Sequence, residues 1–152
     1  MIDKRSVLIG AGAAIAGRAA LPRLIRLKLV RDVRRLSAGE YHPLLSGYAE
    51  DAVLHFNEGP HRWSGQHRGK AAIERFLRDF VKAGLTGEVG QVWIGGPPWA
   101  LTLVARFDDR ATGPGGEELY ANQVVIVART RWGRIVDFEE KLRALGIEPV
   151  AG

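Results

Sequence analysis

Apolar and polar residues alternate with two periods along this chain, and the period changes near its middle. From Lys70 to about Lys82, Ile73, Phe76, Leu77 and Phe80 recur at helical spacing and predict an amphipathic helix. Gly84 and Gly87 end it. Strands are expected at Glu88–Ile94, Trp99–Asp108, Leu119–Arg131 and Arg134–Leu142. Gly95-Gly96-Pro97-Pro98 separates the first pair, Thr112-Gly113-Pro114-Gly115-Gly116 makes a long hairpin tip, and Arg131-Trp132-Gly133-Arg134 makes a tight turn. In the first half, Pro22 suits the first turn of a helix running to Ser37, with Leu21, Ile25, Leu29, Val33 and Leu36 on one stripe. Gly39 breaks that helix. A second helix is expected over Tyr41–Ala49, a short strand over Ala52–Phe56 and a loop over 57–68. Helices first and an antiparallel meander afterwards indicate an α+β fold.

Composition narrows the possibilities. A chain of 152 residues is most simply one domain. Cysteine is absent, which removes disulfides, thiolate chemistry and cysteine-based zinc sites. Residues 1–36 hold nine Lys/Arg against two Asp, a net +7, so the rest carries a net −2 of the chain's +5. The high isoelectric point therefore belongs to the N-terminal segment, and no nucleic-acid-binding face is expected on the body. The run VLIGAGAAIAG at residues 7–17 is too short to span a bilayer. It reads as a signal-peptide core, as part of an interfacial helix carrying the Leu21–Leu36 stripe, or as a leader before the first helix of the fold. The last is preferred for residues 22–37; for residues 1–20 the three stay open. Its glycines mimic a dinucleotide fingerprint, but Ile15 stands at the third glycine position and no βαβ pattern follows.

The stretch LSAGEYHPLLSGYAEDAVLHFNEGPHRWSGQHRGKAAIERFLRDF, from Leu36 to Phe80, resembles the first half of the NTF2-like superfamily in its SnoaL-like branch, and the strand meander matches the second half. The resemblance implies an NTF2-like (cystatin-like) cone, with N-terminal helices packed on a curved, mostly antiparallel sheet around a pocket. It divides the chain into an arm at 1–21, the domain at 22–143 and a tail at 144–152. It also implies a homodimer, and a fold that hosts isomerases, cyclases, epoxide hydrolases and non-enzymes alike.

Candidate chemistry follows from which residues share a strand face. Arg106 and Asp108 alternate with Thr102 and Val104; Glu140 alternates with Val136 and Phe138. The turn at Trp132-Gly133 sets Glu140 opposite Val125, on the side of Gln123. If these faces line the cone, Arg106, Asp108, Gln123 and Glu140 converge. That set resembles the limonene-epoxide hydrolase branch, whose Arg-x-Asp pair matches Arg106-Phe107-Asp108 and whose second acid falls at Glu140. The resemblance implies one ionised acid activating a water, one protonated acid serving the epoxide oxygen, and an Arg between them. The competing register turns Leu101, Leu103, Ala105 and Phe107 to the core and leaves Arg106 and Asp108 in surface ion pairs. The branch's Tyr-x-Asn maps onto Leu54 and Phe56, or after a one-residue slip onto His55 and Asn57. Three positions important in the ketosteroid-isomerase branch hold Asp32, Phe56 and Val125, so that machinery is not expected.

Four histidines, His42, His55, His61 and His67, lack metal-ligand spacing, and no metal or cofactor is expected. His55 is a candidate pocket acid or base. Trp63 and Trp99 could rim the pocket, with Phe56, Val125 and Phe138 as further wall residues. The four serines lack a nucleophile elbow. The expectation is a cytoplasmic SnoaL-like protein binding a small apolar molecule, with acid/base work by Arg106, Asp108 and Glu140. The alternative is a non-catalytic dimeric ligand- or protein-binding module. The basic arm leaves export or a weak contact with a membrane surface open.

Overall fold

The computed structural model describes residues 4–56 and 62–141. Asn57, His61, Leu142 and the expected tail at 144–152 lie outside them. The elements are α1 (Lys4–Ser37), α2 (His42–Leu45), β1 (Tyr48–Phe56), β2 (Gly65–Arg68), α3 (Lys70–Lys82), β3 (Leu85–Gly95), β4 (Thr102–Thr112), β5 (Glu118–Arg131) and β6 (Arg134–Lys141). They form one six-stranded sheet in the order β2-β1-β6-β5-β4-β3. Only β1 and β6 pair in parallel; the other neighbours are antiparallel.

Local sequence accounts for most of these elements. In α3 the stripe of Ile73, Phe76, Leu77 and Phe80 is buried as its spacing requires. The stripe of α1 is used up by the protein's own core: Leu36, Val33 with Leu29, and Leu21 with Ile25 each join a buried cluster against the sheet. A membrane helix using that stripe is therefore ruled out. The helix starts at Lys4, not Pro22, and takes Pro22 into its interior. Its Ala-rich run favours helix strongly enough to continue past a proline, which removes one backbone bond.

Other boundaries differ for physical reasons. The second helix is a single turn, because Tyr48 and Ala49 are drawn into β1 as buried strand residues. The loop after β1 contains β2, a short polar strand pairing Val53–Phe56 with Gly65–Arg68. Its residues alternate in exposure without apolar content, so periodicity had little to report.

Two contacts fix the helices to the sheet. The Ser37 hydroxyl donates to the Gly87 carbonyl at 3.1 Å and accepts from the Gly87 N–H at 3.0 Å, tying the end of α1 to β3. Gly87 also lies under the Phe107 ring, where a Cβ would fall 2.1 Å from Phe107 Cζ. The β5–β6 turn is tight, with Trp132 at φ 50° and Gly133 at φ 78°. It pairs Thr130 with Ile135, but the next pair is Arg129 with Asp137. Val136 is the extra residue of a β-bulge.

Candidate active site

The concave face of the sheet is assembled from alternate strand residues. Across β4, β5 and β6 the inward pairs are Leu103 with Ala128, Ala105 with Ile126, Phe107 with Val124 and Asp109 with Asn122, and then Ala128 with Phe138 and Ile126 with Glu140. Leu54 and Phe56 of β1, the α1 stripe and the α3 aromatics complete an apolar chamber of about 80 Å³. A wider mouth of about 310 Å³ adjoins it, walled by Trp63, Ala83, Leu85, Ala111 and Tyr120 and sharing Phe56, Phe80 and Asp109 with the chamber. Among the described residues lining the chamber, only Tyr48, Asp109 and Glu140 bring polar side-chain atoms.

The two carboxyl groups are the chemical content of this site. Asp109 is 4% exposed and Glu140 9%. Burial pushes the Asp109 carboxyl up to about 7, helped by the charge of neighbouring Asp108. Burial pushes Glu140 up to about 8, and the Asp109 charge adds to it. Tyr120, at the mouth, is raised by burial and by both acids, against the lowering effect of its hydrogen bond with Asn122. The Tyr48 phenol is raised by burial alone and stays protonated. Two acids in one apolar site do not titrate independently: each one that ionises opposes ionisation of the other. Near neutrality one acid can be ionised while the other keeps its proton, and among the described residues no cation lines the chamber.

The residues expected from sequence divide into two sets. Phe56, Phe138 and Glu140 line the chamber, and Trp63 lines the mouth. Arg106, Asp108, Gln123 and Val125 lie on the opposite, convex face, Arg106 across from Val125 and Asp108 across from Gln123. The expected convergence of Arg106 and Asp108 with Glu140 is thereby corrected. Leu103, Ala105 and Phe107 take the core face of β4, and alternation turns Arg106 and Asp108 away. There Asp108 accepts a hydrogen bond from Gln123 Nε2 at 2.8 Å and sits 3.9 Å from Arg106 Nε. His55 pairs with Glu139, also off the chamber face. Trp99 is exposed at the far end of β4 and packs on Trp132, with ring centroids 6.4 Å apart. His67 is held by the Trp63 carbonyl at 3.0 Å and by the Phe76 ring. No cluster of three or more His, Asp or Glu able to hold a metal occurs among the described residues.

Glu140 reaches the chamber by a route the turn alone does not give. An unbroken hairpin register would place it beside Val125; the Val136 bulge advances β6 by one residue, and Glu140 pairs with Ile126. Asp109 is the acid in the chamber wall that the sequence did not single out. The signal was present: the apolar positions Leu103, Ala105 and Phe107 make 109 the next inward position.

The profile of the SnoaL-like domain matches residues 30–138. Solved structures share the fold. Bal32a from a soil-derived mobile gene cassette superposes with a TM-score of 0.61 at 22% identity, covering 82% of this chain and 93% of that one. An NTF2-like protein from Burkholderia pseudomallei gives 0.60 at 20% identity, over 77% and 89%. TerC co-crystallised with polyporic acid gives 0.59 at 15% identity, over 80% and 93%. No curated protein matches the chain. The α+β cone, the sheet order and the matched span lead to one conclusion: the chain belongs to the SnoaL-like domain family and has the NTF2-like fold.

Proposed function

We propose that this protein binds a small, uncharged, largely apolar molecule in its cone and moves a proton on it with Asp109 and Glu140. The observation that carries the reading is a pair of buried carboxyl groups, raised to about 7 and about 8, in an otherwise apolar wall. Both carboxyls are raised by burial and each opposes ionisation of the other, so near neutral pH one can be ionised while its partner keeps its proton; the base is assigned to Asp109 and the acid to Glu140. A carbonyl compound suits the pair. The Asp109 carboxylate would take a proton from the carbon next to the carbonyl, the electron pair would move onto the carbonyl oxygen, and Glu140 would donate a proton to it. Returning a proton to another carbon completes an isomerisation; attack of the enol carbon on a second carbonyl completes a cyclisation. Epoxide hydrolysis is the weaker reading, because Arg106 and Asp108 stand on the convex face.

The test is native mass spectrometry of gently purified protein, with identification of any released molecule, alongside binding of an uncharged solvatochromic dye. Binding of a neutral compound that is lost in Ala111→Trp, which narrows the mouth, supports the reading. A protein that carries nothing and binds no neutral probe overturns it. A second reading, a non-catalytic dimeric module, is favoured by one observation: the convex face carries an exposed Trp93 beside Val104 and Val127, which no other element covers among the described residues. An empty chamber together with a dimer in solution would support that reading instead.

A further inference from the structure

We propose that one end of the domain, marked by Trp99, Trp132 and the emerging α1 helix, docks on an anionic membrane surface. The position of this end follows from the packing of α1. Leu29 and Val33 pack with Phe107, while Leu21 and Ile25 pack with Leu101 and Leu103. Going back along α1 therefore means moving along β4 toward Leu101 and the loop before it. Thr130 N–H donates to Leu101 O at 2.9 Å, and Trp132 N–H donates to Trp99 O at 3.0 Å. The two tryptophans thus lie at the end of β4 toward which Leu21 and Ile25 lead. The helix continues back from this end to Lys4, roughly 25 Å further at 1.5 Å per residue.

Three features of this end fit a lipid surface. Trp132 is 78% exposed and Trp99 54%. Trp132 occupies the left-handed region, where Asn or Gly would be less strained, yet it presents a large apolar ring to solvent. Tryptophan is favoured at the boundary of lipid and water. The helical run at 7–17 contains no charged residue. Basic residues surround it: Lys4, Arg5 and Arg18 in sequence, then Arg23 and Arg26, which are exposed and have no ion pair among the described residues. Residues 1–26 hold five Lys/Arg against Asp3, a net +4 that complements anionic headgroups, and the uncharged run separates a bilayer from nucleic acid as the partner. The contact is superficial, since among the described residues no helix is long and apolar enough to cross a membrane. The cavity mouth, at Asp109, Ala111 and Tyr120, lies toward the other end of β4 and would face away from the surface.

The experiment is co-sedimentation of the full-length protein with phosphatidylcholine vesicles, with and without phosphatidylglycerol, at low and high salt. Pelleting with the anionic vesicles, loss at high salt and little binding to phosphatidylcholine alone are expected. Trp99→Ser combined with Trp132→Ser should weaken binding several-fold. Arg23→Glu combined with Arg26→Glu should weaken it by at least about tenfold. Circular dichroism melts should show both variants folded. Wild-type protein that stays in the supernatant with anionic vesicles overturns the proposal. So does unaltered binding by the tryptophan variant, or binding that a duplex DNA competitor abolishes.

Discussion

Asp108 and Asp109 are neighbours in sequence and lie on opposite faces of one strand. The first accepts a hydrogen bond from Gln123 beside Arg106, on the convex side. The second is buried in the cone, where the charge of the first helps hold it protonated. The pair is coupled through the sheet.

That coupling predicts different outcomes for the two asparagine variants. Asp108→Asn removes a like charge and should lower the Asp109 titration from about 7 while leaving ligand binding intact. Asp109→Asn should remove the titration near 7 and, with a substrate in hand, lower turnover by about a hundredfold or more. Carboxyl-detected NMR titration checks the first, and steady-state kinetics the second. A titration of Asp109 unmoved by Asp108→Asn would show that the two faces are electrically separate.

Stability should depend on pH in a direction set by the raised carboxyls. Both acids hold their protons more tightly folded than unfolded, against ordinary values of 3.8 and 4.5. Between those values and about 7 to 8 the folded state binds more protons, so stability falls as pH rises through this window and then levels. Asp109→Asn and Glu140→Gln remove the penalty. Each should stabilise the protein by about 2–4 kcal/mol at pH 8 and much less at pH 4. Urea melts at the two pH values are the measurement; equal changes at both would show that the carboxyls are not desolvated.

Gly87 predicts a packing conflict. A methyl group there would meet the Phe107 ring at 2.1 Å. Gly87→Ala should cost about 1–3 kcal/mol, and Phe107→Leu in the same protein should recover part of it. The sign of the coupling in a double-mutant cycle of thermal melts decides whether this contact is the cause.

Trp132 predicts the reverse. Asn is favoured before Gly in a tight turn with both central residues at positive φ, and Trp is not. Trp132→Asn should raise the melting temperature, by about 0.5–1 kcal/mol in stability, while weakening vesicle binding. A lower melting temperature would show that the contact with Trp99 outweighs the backbone strain.

Long apolar periodicity was legible in the chain. The α3 stripe and the strands of the meander follow from spacing; the α1 stripe is visible too, but its place on the sheet rests on the resemblance, and spacing leaves two registers open for which face of the Arg106–Asp108 strand turns inward. Glu140 was legible as a site residue, although its facing depends on a bulge at Val136. A single inserted residue exchanges the two faces of a strand and leaves almost no trace in a local pattern. Asp109 was obscured by Arg106 and Asp108, whose dipeptide spacing invited a functional reading of the wrong face. β2 and the early start of β1 depend on partners distant in sequence, Ile135 for Tyr48 and the Val53–Phe56 strand for β2, so local propensity had little hold on them.

The α1 helix couples the two ends of the molecule. Its later turns, through Leu29, Val33 and Leu36, are a wall of the chamber, while Leu21 and Ile25 pack at the tryptophan end, on Leu101 and Leu103. Pro22 sits between these sections and interrupts the backbone ladder at the point where the helix leaves the sheet. If the proposed lipid contact and the proposed chemistry both hold, one helix carries both, and Pro22, which lacks the N–H of a ladder bond, is the point along it where the two sections are least stiffly joined.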